Sequence, residues 1–145
     1  MDLKKGIQAL NTVIHECIRE KKEAVVAVVD QNGDLVSFAR TDHAPLSSIP
    51  VAINKAYTAA RMRQDTESFG RNMHDQDLEN LSYYSDSKLT PWAGGIPIFD
   101  LDGQLLGAIG VSGMSHTADA ALALKAVEAI KPVPPKTEDK FKLYS

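Results

Sequence analysis

The chain has 145 residues, the length of one ordinary domain, and at that size a globule buries about 68–70% of its unfolded surface without help from disulfides or metals. Apolar residues are 43% of it and charged residues 24%, which excludes a largely disordered chain. A net charge of −3 with a pI near 5.8 lacks the basic footprint of a nucleic-acid partner.

Residues 3–22 carry Leu3, Ile7, Leu10, Ile14, Cys17 and Ile18 at helical spacing, which predicts one amphipathic helix with this stripe facing inward. Ala24 to Asp30 is a β-branched run and reads as a buried strand. Asn32-Gly33 then separates it from Leu35–Arg40, a hairpin signal. A loop at 41–46 precedes a helix capped by Ser47 or Ser48, with Pro50 in its first turn. That helix runs to Ala60 or Arg63. It is apolar around most of its circumference, which predicts cover on two sides: the sheet is one, and a partner subunit is a candidate for the other. Residues 64–91 are the least regular, with a short helix expected over Asp75–Tyr84. A second hairpin follows, with arms 94–100 and 104–113 around Asp102-Gly103. A last helix opens at Ser115 or Thr117 and runs to Ile130. Residues 131–145, with three prolines and six charges, read as an extension docked through Phe141 and Leu143. Antiparallel pairs alternating with helices predict an α+β domain over residues 1–130, since both turns are too short for parallel crossovers.

No apolar run approaches the ~18 residues of a membrane span. Met1-Asp2-Leu3-Lys4-Lys5-Gly6 lacks the continuous apolar core of a signal peptide, so the expected location is cytoplasmic. The lone Cys17 excludes a disulfide framework and a cysteine zinc cluster, and no histidine pair has metal-ligand spacing.

Several residues stand out chemically. Gly94, Gly95, Gly107, Gly110 and Gly113 crowd the second hairpin, where glycine marks either tight helix–sheet packing or a ligand wall. Ser112-Gly113 feeds the last helix, whose first amides can hold an anion. Neither a P-loop nor a GxGxxG fingerprint is present. Asp119 lies on the buried side of that helix, in its first turn. It serves either the helix dipole or a site at the sheet end. Lys55 sits among small and apolar neighbours. It is read either as a salt-bridge partner or as an anion anchor or base of lowered pKa. Arg40 and Asp42, at the end of the first hairpin, can pair across their loop. His15 lies roughly 115° from the centre of its helix's apolar stripe. Such a flank residue would ligate a group held between subunits. Tyr83, Tyr84 and Trp92 either line a pocket for a flat ligand or close the core.

Together these segments resemble the GlcG/HbpS-like family, whose domain also forms the C-terminal part of PduO-type corrinoid adenosyltransferases. The resemblance rests on Val26-Ala27-Val28-Val29-Asp30 with Gly33 and Leu35-Val36, Phe38-Ala39-Arg40-Thr41-Asp42, Ser48, Asn54-Lys55-Ala56-Tyr57-Thr58-Ala59-Ala60, Gly94-Gly95-Ile96-Pro97-Ile98, Gly107 to Gly113, and Asp119. It covers roughly residues 3–130. His43 departs from the pattern, which usually has glycine there. The resemblance implies a profilin-like fold with about five antiparallel strands, homo-oligomers, and links to haem, corrinoids, and hydroxy-acid or diol metabolism.

Three functions compete. The first is a non-catalytic oligomeric protein that binds haem or a corrinoid, with His15 the leading axial candidate and His43 and His116 behind it. The second is an enzyme or accessory protein acting on a small anionic metabolite. Its ligand-binding residues would be Lys55, Gly94, Gly95, Ser112, Gly113, Asp119, Arg40 and Asp42. The third is an assembly partner of a cofactor-dependent enzyme. None involves nucleic acid or a membrane.

Overall fold

The computed structural model describes residues 1–76 and 81–134. In chain order the elements are α1 (Leu3–Glu20), β1 (Val25–Asp30), β2 (Leu35–Arg40), α2 (Ser48–Met62), α3 (Thr66–Asp75), a 3-10 turn (Leu81–Tyr84), β3 (Gly95–Phe99), β4 (Leu105–Ser112) and α4 (His116–Ile130). The strands form one sheet in the order β2-β1-β4-β3, antiparallel throughout. The fold is thus the expected profilin-like α+β class, with four strands among the described residues where about five were anticipated.

β1 is central and buried on both faces, which is why its sequence is a continuous apolar run rather than an alternation. Val26 and Val28 face a core shared with α1 and α4. Val25, Ala27 and Val29 face a second core under α2. Both hairpin turns use one device: Asp30 Oδ1 accepts from the amides of Asn32 and Asp34, and Asp100 Oδ1 accepts from those of Asp102 and Gln104. Gly33 and Gly103 supply the positive φ angles, 88° and 81°, that these turns need. The turns close one end of the sheet. At the other end β1 and β3 begin, and β2 and β4 finish.

Three helix expectations need correcting. The inward face of α1 is Gly6, Ala9, Val13 and Cys17, rotated roughly 85° from the stripe of large residues. Leu3, Ile7 and Ile18 are exposed. Small residues face inward because the helix lies close on β2: a Cβ on Gly6 would sit 3.0 Å from Val36 Cγ1 and 3.1 Å from Ser37 Oγ. The second cover of α2 comes from its own chain. Phe69 and Met73 of α3, with Leu89, pack on Tyr57 and Met62. Tyr57 donates to Asp86 at 2.6 Å, and the Thr90 amide donates to Thr58 Oγ1 at 2.9 Å. Finally, Ser47 precedes α2 but makes no side-chain cap, because its own backbone is already helical.

α4 behaves as anticipated. Ser115 caps it by accepting from the Ala118 amide, and Asp119, Leu122, Ala123, Ala126 and Ile130 are buried. Of the expected helix over Asp75–Tyr84, residues 77–80 lie outside the described residues, and Leu81–Tyr84 form the 3-10 turn. Phe141 and Leu143 also lie outside them. No helix among the described residues is long and apolar enough to cross a membrane.

Candidate functional site

Two clefts open at the end of the sheet away from the hairpin turns, on either side of the 41–47 loop. The first is built around Lys55. Glycines make room for it: a Cβ on Gly94, whose φ is +127°, would lie 2.9 Å from Lys55 Nζ. A Cβ on Gly95 would run into the Lys55 carbonyl, and one on Gly110 into the Ala52 carbonyl. The side chain therefore crosses under α2 to the end of β4. There Nζ donates to the Val111 carbonyl at 2.9 Å and to Asp119 Oδ2 at 3.2 Å. Asp119 Oδ1 accepts from the Met114 amide at 3.0 Å. Both charged side chains are almost wholly buried, at 1% and 2% exposure. Burial pushes the Lys55 pKa down and the Asp119 pKa up, because each loses water around its charged form; their mutual attraction opposes both shifts.

The pair forms part of the wall of a cleft of about 280 Å3. Ser48 and Ser112 contribute to the same wall, and Gly113 to its edge. Trp92 stands at the rim, half-exposed, stacked on His116 with ring centroids 5.8 Å apart and planes 24° from parallel. Trp92 is thus a lining aromatic, whereas Tyr84 packs edge-on against Phe69 at 6.0 Å.

The second cleft, of about 440 Å3, lies between the C-terminal turns of α1 and the loop after β2. Its lining combines apolar Ile14 and Ile18, cationic Lys21, Lys22 and Arg40, and His43. Glu23 shapes the loop: its carboxylate accepts from the His43 amide at 3.2 Å. A hydrogen bond from Thr41, then that amide, hold the Glu23 pKa below the usual carboxylate range. Arg40 and Asp42 line this cleft but are not an ion pair.

The eight expected ligand-binding residues therefore divide. Lys55, Ser112, Gly113 and Asp119 line one cleft, with Gly94 and Gly95 supporting Lys55 from behind. Arg40 and Asp42 line the other. The three candidate histidines separate as well. His43 belongs to the larger cleft and His116 to the Lys55 cleft, while His15 is exposed on α1 and lines neither. Sequence reasoning named Ser48 as a cap candidate and as part of the family pattern, and Lys21 and Lys22 as cations suited to the α1 dipole, but assigned none of them to a site. Ser48 carried a signal, since spacings of 4, 4 and 3 align it with Ala52, Ala56 and Ala59 on the buried face of α2.

The helices packed on an antiparallel sheet of order β2-β1-β4-β3 define the class, an α+β domain of profilin-like type. Within it, the chain belongs to the family described as "Haem degrading protein HbpS-like", which matches residues 1–128. An uncharacterised 15.0 kDa protein from the dhaT-dhaS intergenic region of Citrobacter freundii is 33% identical over 105 residues, covering 72% of this chain and 73% of that protein. The corrinoid adenosyltransferase PduO of the same organism is 32% identical over 107 residues, but the match spans only 32% of its length. Among solved structures, the PduOC–haem complex superposes with a TM-score of 0.82 at 27% identity, covering 90% of this chain and 94% of that one.

Proposed function

We propose that the protein binds a haem-type tetrapyrrole in the larger cleft, with His43 as its axial ligand. The observation that carries this reading is the convergence, in one opening, of an exposed imidazole, three cations and an apolar flank. Lys21, Lys22 and Arg40 have no ion-pair partner among the described residues, so they are available to the propionates. Ile14 and Ile18 offer the ring an apolar surface, and imidazole is an ordinary axial ligand of haem iron. A cleft of about 440 Å3 lies within the usual ~300–1,000 Å3 of ligand pockets. The haem complex of a structural relative at 27% identity supports the ligand class. The haem would supply a redox-active iron, and the chain's own residues would hold and orient it. His15, the first candidate on sequence grounds, faces outward on α1 and would meet haem only between two copies of the chain.

The test is a visible-absorption titration of the apo-protein with haemin, with cob(III)alamin in parallel because a relative is a corrinoid adenosyltransferase. A saturable Soret change at one haem per chain, lost in His43→Ala and retained in His15→Ala, is expected. No saturable change would refute the haem reading. Loss in His15→Ala alone would move the site to the outer face of α1.

A further inference from the structure

We propose that the Lys55 cleft is a separate binding site for a small monocarboxylate, received by the hydroxyls of Ser48 and Ser112 beside Lys55 Nζ. Ser48 and Ser112 are only 7% and 6% exposed, and both line this cleft. Neither hydroxyl has a hydrogen-bond partner among the described residues. The one wholly buried hydroxyl without a partner among the described residues is Ser37 Oγ, under α1; the Ser48 and Ser112 hydroxyls stay in contact with the opening, so a ligand entering it meets two unengaged hydroxyls.

Their placement follows from the register. On β4 the residues facing α2 are Ala108 and Gly110, and Ser112 continues that side. Gly110 packs against Ala52 and Ala56. Ser48 is one helical turn before Ala52, as Ser112 is two residues after Gly110. The two serines therefore sit where α2 and β4 part company.

The electrostatics select the charge of the ligand. Lys55 and Asp119 neutralise one another. Over them stand the first turns of α2 and α4; the amides of Ser48 and Ile49 already donate to the Pro45 and Leu46 carbonyls and that of Ala118 to Ser115, so the helix ends act on a ligand through their dipole field. Each helix N-terminus carries roughly half a positive charge. Together they match one negative charge, whereas a dianion would face the Asp119 carboxylate uncompensated. Trp92 at the rim gives the organic part of the ligand an apolar surface.

The test uses the full chain and a built-in reporter, since Trp92 is its only tryptophan. Benzoate and acetate are titrated against neutral benzamide and inorganic phosphate. Trp92 emission and the amide resonances of Ser48, Ser112 and Gly113 are followed. Benzoate should shift these signals saturably, with benzamide and phosphate at least about tenfold weaker. The double variant Ser48→Ala, Ser112→Ala should bind benzoate about tenfold more weakly at an unchanged unfolding midpoint. If the double variant does not fold, Ser112→Ala alone serves. The proposal is overturned by the absence of a saturable shift at these amides. Benzamide or phosphate binding as well as benzoate would overturn it too, as would full affinity in the serine variants.

Discussion

The two clefts share one end of the sheet and one loop, yet they handle charge in opposite ways. In the Lys55 cleft the charges are buried, paired and hydrogen-bonded to backbone. In the His43 cleft the cations are free of ion pairs and Arg40 and His43 are exposed. A buried pair is tied to folding, because either charge left alone in the interior is costly. An exposed cation contributes little to stability and is free to meet a ligand. The first cleft therefore should respond to mutation through stability, and the second through binding.

The sharpest way to break this contrast is Asp119→Ala. It strands the Lys55 ammonium, and removing one partner of a buried pair costs about 3–5 kcal/mol. Urea denaturation at neutral pH measures the loss. The pH dependence has a definite sign. Burial holds the folded pKa of Lys55 below its ordinary value, and removing Asp119 takes away what opposed that shift. Between the two pKa values the unfolded chain then binds more protons, so the variant's stability rises with pH. The deficit should be smaller at pH 9.5 than at pH 7. A deficit that is constant or grows with pH would mean that Lys55 is not the stranded group.

A smaller effect is expected from Gly94→Ala. The added methyl enters a backbone with φ +127°, runs into the Val111 carbonyl that Lys55 Nζ donates to, and lies 2.9 Å from Nζ itself. Overpacking of this kind costs about 1–3 kcal/mol. The Met114 amide, hydrogen-bonded to Asp119, should shift in the NMR spectrum as the pair moves. An unshifted Met114 would show that Gly94 does not set the position of Lys55.

Residues such as Gly94 show what was legible in the sequence and what was not. Glycine inside a strand announces close approach, and that held at Gly94, Gly95 and Gly110. The element order was legible because the apolar period switches cleanly between helix and strand. α3 was not, since of its ten residues Thr66, Phe69 and Met73 are buried and only two of these are apolar, which gives a weak stripe. Its start did carry a signal: Asp65 accepts from the Ser68 amide, and Glu67 follows the cap. The α1 face was misread because periodicity weighs large residues, while a helix lying close on a sheet turns its small ones inward. The Lys55–Asp119 pair spans 64 positions, and no local pattern encodes a contact between two elements that distant.

Beside the two clefts, in an opening between α1 and α4 that shares Lys22 with one and Met114 with the other, the partly buried Glu16 offers a control for a paired charge near the surface. It accepts from Lys125 of α4 and Arg19 at 2.7 Å each. Lys125 first, then Arg19, lower its pKa to about 2. A depressed carboxylate stabilises the fold above its unfolded value, and the contribution fades as pH falls toward about 2. Lys125→Met should raise the Glu16 titration midpoint toward the ordinary carboxylate range, read by NMR on the side-chain carboxyl. No rise would mean that α4 does not hold this group.

The smallest stability change is expected at Arg40, and it is the most informative about the second cleft. Arg40→Ala removes an exposed guanidinium that makes no ion pair, so stability should stay within about 0.5 kcal/mol of the parent. Haemin affinity should nevertheless fall, because a cation facing the propionates is gone, and the loss should shrink as salt screens the attraction. Titrations at low and high ionic strength separate these outcomes. If Arg40→Ala destabilises the fold by as much as Asp119→Ala does, the two clefts do not differ in kind. If it leaves both stability and haemin affinity unchanged, the cationic wall has no part in holding the ligand.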